Sequence, residues 1–200
     1  MTGLGTAAFR KPFLLAAVLL LALGASAGCH KKSPDLSGQK NQPSVKNEPA
    51  WVAKCAGAFS FAQKQELYGC GSDRDKNQQF QLKSADEKAR VDLAKTIDDR
   101  VAGFFKDYLS APAMKGNLSE AEEQEFIASI ARQVTEISLH GAQVFDRWRA
   151  PDGTLYSISR VSFSEVEAAM RKQTSERAKE LKSDPQKAME EIDRQLAKIK

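Results

Sequence analysis

The side chains best suited to chemistry in this 200-residue chain are its three cysteines, Cys29, Cys55 and Cys70, and His140; the second histidine, His30, directly follows Cys29. A thiol can carry lipid, pair as a disulfide, hold a metal or act as a nucleophile, and its neighbours decide which. Cys29 closes a run that opens with Arg10-Lys11 and continues as a leucine-rich stretch from Pro12 to Gly28. Two cations, an apolar segment of about fifteen residues and a small-small-Cys ending have the anatomy of an export signal cut just before a cysteine. The stretch is short for a bilayer core that needs about 20 residues, and Gly24 and Gly28 weaken its end. A cleaved leader is therefore expected over residues 1–28, leaving Cys29 to carry lipid.

The ending Ser26-Ala27-Gly28-Cys29 resembles the lipobox of bacterial lipoproteins, with Ser26 where leucine is usual. Ala25-Ser26-Ala27 also fits the A-x-A pattern of ordinary secretory cleavage, which would release a soluble protein. Parity favours lipid. An odd thiol is a liability in an oxidising compartment, and if Cys29 is acylated, with palmitate, Cys55 and Cys70 remain as a pair. One acyl chain holds a protein only marginally, whereas the multi-chain lipoprotein modification makes anchoring permanent. That covalent lipid is the only prosthetic group expected.

Lys and Arg total 30 against 26 Asp and Glu, for a net charge of +4. Removal of the leader takes away Arg10 and Lys11 and leaves the exported protein nearly neutral, with no basic field to hold nucleic acid. From Cys29 to Glu48 the chain is Lys, Ser, Pro, Gln, Asn and Gly with few aliphatics, too little apolar surface to offset the entropy of ordering. Such a tether of 29–48 spans about 25 Å as a coil and roughly 65 Å stretched. By analogy with lipoprotein sorting, His30 in place of Asp after the lipid site favours the outer membrane, with the domain on its periplasmic face.

A domain is expected over 49–170. Gly57–Phe61 and Leu67–Gly69 read as short extended segments joined by a polar turn, an arrangement that brings Cys55 and Cys70 together. A disulfide is the favoured pairing; free thiols and a metal site are the alternatives. Apolar residues at Leu82, Ala85, Ala89, Leu93, Ile97, Val101, Phe104, Phe105 and Tyr108 predict one long helix ending before Pro112, its other face (Asp86, Lys88, Arg90, Asp92, Asp99, Arg100, Lys106) in water. Ser119 and Glu122 form a capping box that opens a second helix, and Ser164 with Glu167 form another. Between them, Ala142–Trp148 alternates, with Val144, Asp146 and Trp148 on one face and Phe145 and Arg147 on the other. Pro151-Asp152-Gly153 turns the chain into a second strand, Thr154–Val161. Residues 171–200 form a helical tail whose stripe of Met189, Ile192, Leu196 and Ile199 can dock, self-associate or fray. The sum is an α+β fold: a small antiparallel sheet of short N-terminal strands plus a C-terminal hairpin, packed against two or three helices.

Taken in order, Pro49-Ala50-Trp51-Val52, Leu67-Tyr68-Gly69-Cys70-Gly71, Ala85–Lys95, Val144–Trp148 and Asp152–Tyr156 resemble the LPP-twenty family of bacterial envelope lipoproteins. The resemblance implies a small α+β domain, outer-membrane attachment and kinship with flagellar basal-body lipoproteins that assemble into rings. Cys55 and Cys70 stand where that family has small or aliphatic residues.

Signals for catalysis are weak. A Ser-His-Asp set can be written with Ser138 or Ser157, His140 and Asp146, but no nucleophile elbow surrounds either serine. Gly69-Cys70-Gly71 does not continue into a phosphate-binding loop, and the carboxylates are interleaved with Lys and Arg. The surface set that remains is Phe145, Arg147, Trp148, Arg149 and Arg160 on or beside the hairpin, suited to contact with another copy or an envelope partner. The function expected is therefore non-enzymatic: a structural or assembly component of the cell envelope, with a periplasmic ligand- or peptidoglycan-binding module as the alternative.

Overall fold

The computed structural model describes residues 47–199, so the expected leader, Cys29 and nearly all of the tether fall outside it. The described chain forms α1 (Ala50–Lys54), a 3-10 turn (Cys55–Ala58), α2 (Phe61–Lys64), β1 (Glu66–Asp73), α3 (Gln78–Ser110), α4 (Glu120–Leu139), β2 (Gln143–Arg149), β3 (Leu155–Ser162), α5 (Phe163–Glu176) and α6 (Pro185–Ala197). It is an α+β fold built on one three-stranded antiparallel sheet of order β1-β3-β2.

The hairpin forms where the turn residues place it. The amide of Ala150 donates to Thr154 O, that of Gly153 donates to Ala150 O, and Gly153 takes a φ of +89°, which glycine adopts without steric penalty. Its alternation is not simple, however. A register shift between Val144 and Asp146 inserts Phe145 as an extra residue, so Phe145 and Asp146 lie on the same side of the sheet. Strict two-residue alternation, which placed Phe145 with Arg147, is corrected by this bulge.

Among the described residues only one N-terminal strand forms, β1. Gly57–Phe61 forms no strand; it leaves the 3-10 turn at Ala58 and passes through extended Phe59 and Ser60 into α2, and Phe59 stacks on Tyr68 with ring centres 4.2 Å apart. With α1 this segment forms a strap whose Trp51 is buried against Tyr68 and Ile158 of the sheet, with Phe59, Trp148 and Tyr156 packed around them. Cys55 and Cys70 are joined as a disulfide with their Cα atoms 5.8 Å apart, which fixes the strap to β1.

The opposite face of the sheet packs on α3 at backbone contact. A Cβ on Gly69 would sit 2.0 Å from Leu93 N, and one on Gly71 would sit 2.3 Å from Ala89 N. Small partners permit this approach: Ala85 and Ala89 on α3, and Ser157 and Ser159 on β3, are all buried. The stripe on α3 repeats every four residues from Ala85 to Val101, more than the 3.6 of a turn, so it winds slowly around the helix. Along its length α3 meets β1, β3, α4 and α6. Leu82 falls off the stripe and is exposed; Gln81 is buried instead, donating to Asp73 O and Gly153 O.

The capping box at Ser119 and Glu122 is formed. The one expected at Ser164 and Glu167 is not: β3 runs on to Ser162, whose hydroxyl accepts the Ser164 amide and caps α5. Phe163, just inside that cap, is fully buried, which fixes the point at which the chain must turn from strand to helix. The expected boundary at 170 falls within α5, and α6 lays Ala188, Ile192 and Leu196 into the same core as Phe105, Ile130 and Val166. Docking is thus the fate of the terminal stripe, reinforced by the Tyr108 hydroxyl donating to Ala188 O at 3.2 Å.

Candidate functional site: the open edge of the sheet

The two sheet edges differ. On β1 the outward amide of Cys70 donates to Asp92 of α3 at 2.9 Å, so that edge is partly closed by a carboxylate. On β2 no described strand pairs beyond it, and all seven residues are at least partly exposed. Val144 and Phe145 are 37% and 41% exposed, among the most accessible large apolar side chains of the described chain.

Behind this edge the five candidate residues are held by intramolecular contacts. Arg147 reaches α3 and grips Asp86 through two hydrogen bonds, 2.8 Å from Nε and 2.7 Å from Nη2. The Ser157 hydroxyl donates to the same carboxylate at 2.7 Å. Arg149 donates to Gln81 Oε1 and to Gly153 O. Arg160 pairs with Glu66 at 2.9 Å and lies 4.4 Å above the Phe145 ring. Phe145 meets Phe59 and Tyr68 edge-on, and Trp148 packs on Tyr156. Asp146 accepts from the Trp51 indole at 3.0 Å and from the Arg147 amide at 2.8 Å. The edge is thus a braced surface rather than a set of free charges.

Tyr68 donates to Glu66, and burial together with that carboxylate pushes its phenol up to about 12. Burial opposes ionisation of Asp86, but the hydrogen bonds from Arg147 and Ser157 and the Arg147 charge outweigh it and hold the carboxyl below the ordinary range. A carboxyl depressed in the folded state stabilises it above the unfolded pKa of about 3.9 and loses that contribution as pH falls through the folded value. Asp86→Asn is therefore expected to lower the urea midpoint at pH 6 and to differ progressively less from wild type as pH falls below about 4. A gap that stays constant down to pH 2 would mean that Asp86 is not the brace described.

The residues of the possible triad do not converge. Ser157 is committed to Asp86, Asp146 to Trp51 and Arg147, buried Ser138 to Val134 O, and the His140 ring lies 3.3 Å from Ile137 O at the end of α4. Among the described residues no group of three or more His, Cys, Asp or Glu side chains gathers where an ion could sit. Beside the edge a cavity of about 190 Å³ is lined by Glu66, Gly141, Gln143, Arg160 and Glu165.

Asp86, Asp92 and Glu66 are the residues that sequence patterning missed. The first two stand on the α3 face expected to be in water, and Asp86 meets a partner 61 residues away in sequence. No family model matches the chain, and no curated protein matches it.

Proposed function

We propose that the chain is a bacterial lipoprotein, held at the outer membrane by lipid on Cys29, that serves as a non-enzymatic structural or assembly component of the cell envelope and docks its partner through β2. The open β2 edge carries this proposal. An unpaired strand with exposed Val144 and Phe145 offers a partner both main-chain groups and apolar contact. The contacts of Arg147, Asp146 and Arg160 keep it from adapting to many shapes, which suits a defined partner. The leader-like residues 10–28, the small-small-Cys ending and the ordered likeness to LPP-twenty lipoproteins support the anchor and the envelope setting. Kinship with flagellar ring lipoproteins makes a second copy or a basal-body protein the kind of partner to seek.

One experiment on the full chain in a Gram-negative host tests both parts. Labelled palmitate and the mass of the N-terminus report the anchor, and cross-linking in intact cells reports docking. Val144→Lys places a charge on the edge; it is expected to retain the label while losing most of the cross-linked product. Arg147→Ala with Arg160→Ala is expected to weaken cross-linking in the same direction. An unmodified Gly28 terminus would overturn the anchor, and cross-linking unchanged in both variants would overturn docking through β2. A monomer that retains cell-wall fragments would replace assembly with ligand binding.

A further inference from the structure

Arg100 is placed unlike the other arginines of the described chain. Its guanidinium carbon lies 3.9 Å from the centre of the Phe61 ring and 5.5 Å from that of Phe163, and burial alone lowers its pKa. Its Nε is buried with no hydrogen-bond partner among the described residues. Arg74, Arg147, Arg160, Arg171, Arg177 and Arg194 all pair with carboxylates, while Arg90 and Arg149 donate to neutral oxygens. Arg132 also lacks a partner, but it is exposed on α4, where water serves it. A half-buried guanidinium without a counter-charge is costly, and its planar fork suits a carboxylate or phosphate.

Arg100 also lines a cavity of about 300 Å³ between α3 and the last turn of α6, with Phe104, Asp107, Gln195, Lys198 and Ile199. Among the described residues the Lys198 ammonium donates only to Gln195 Oε1, at 2.9 Å, and neither cation pairs with Asp107. Two cations against one carboxylate leave the wall with a single excess positive charge, which suits a monoanion and opposes a doubly charged phosphate monoester. Phe104 and Ile199 supply an apolar side, and the volume is at the low end for ligand cavities.

We propose that this cavity binds a short monoanionic amphiphile, its carboxylate or phosphodiester head taken by Arg100 and Lys198 and its apolar body laid against Phe104 and Ile199. The site is separate from the β2 edge, so docking there can fail or succeed without touching it. Decanoate supplies a free carboxylate, dihexanoylphosphatidylglycerol a lipid phosphodiester, and dihexanoylphosphatidylcholine a head with no net charge. Each is titrated below its micelle concentration into the full chain, with the Ile199 methyl signals and calorimetry as readouts. Saturable shifts at Ile199 are expected with one or both anions. Saturation by decanoate alone identifies a free carboxylate as the source, and saturation by phosphatidylglycerol alone identifies a membrane headgroup. Arg100→Gln is expected to weaken that binding at least about tenfold, the loss of a charge-assisted contact, and Lys198→Gln about threefold. Arg132→Gln should change nothing. Lys198 is exposed, so its variant decides the matter if Arg100→Gln does not fold. No saturable shift with either anion, equal shifts with phosphatidylcholine, or binding unchanged in the folded variants would overturn the proposal.

Discussion

Gly69→Ala is expected to prevent the chain from reaching its native fold, while Gly103→Ala, the same chemical change, is expected to stabilise it. A methyl group on Gly69 would stand 2.0 Å from Leu93 N, 2.4 Å from Leu93 Cα and 2.5 Å from Ala89 O. All three atoms belong to the backbone of a helix, so no side chain can swing aside. α3 would have to lift off β1, drawing Ala89, Leu93 and Ile97 from contacts in which they are wholly buried. Losses of that kind reach about 4 kcal/mol or more, against a total margin of about 5–15 kcal/mol for a domain. Gly71 stands in the same position against Ala89 N, so Gly71→Ala should be comparably damaging. Gly103 lies within α3 with nothing inside 4 Å of its missing Cβ. Alanine there restricts the unfolded chain without a clash and should add about 0.5–1 kcal/mol. Urea titrations followed by helical circular dichroism would read both. A folded Gly69→Ala protein with a near-normal midpoint would refute the helix-on-strand contact.

This contact also shows where sequence patterning stops. In the chain, none of the patterns that include Gly69-Cys70-Gly71 points to this contact, because a glycine gives no sign of the helix that will press on it. The α3 stripe was legible, since apolar spacing is a local property, and so were the Ser119 cap and the Pro151-Asp152-Gly153 turn. Gln81, Asp86 and Asp92 were not. A polar side chain on a solvent-like face looks the same whether it meets water or, as Asp86 does, an arginine 61 residues on. The bulge at Phe145 escaped for a related reason: alternation describes one strand, whereas a bulge is a relation between two. Among the candidate residues, types and neighbourhood were therefore readable in Phe145, Arg147, Trp148, Arg149 and Arg160, but their partners were not.

Replacing Cys55 and Cys70 by serine should uncouple the strap from the sheet before the rest of the molecule unfolds. Closing a loop of 15 residues contributes about 3 kcal/mol on the chain-entropy account. The loss is therefore expected to be about 3 kcal/mol, and to fall locally. The strap contains only a five-residue helix, a 3-10 turn and a four-residue helix, none of which can persist unaided. What remains to hold it includes the Trp51–Asp146 hydrogen bond, the Phe59 contacts with Tyr68 and Phe145, and the Phe61 contacts with Phe163 and Arg100. Both tryptophans of the chain, Trp51 on α1 and Trp148 on β2, belong to the cluster between the strap and the sheet, so fluorescence reports on that cluster alone. In the wild-type protein the fluorescence and circular-dichroism transitions in urea should coincide. In the double serine variant the fluorescence change should come first, with helix content still intact, and β2 should lose the bracing that Trp51 gives Asp146. Under the proposed anchor, this segment is also where the tether enters the fold, so a pull along it reaches α1 first and passes through the disulfide into β1. Coincident transitions in the variant, at the wild-type midpoint, would show that side-chain packing alone secures the strap and that the bond is dispensable.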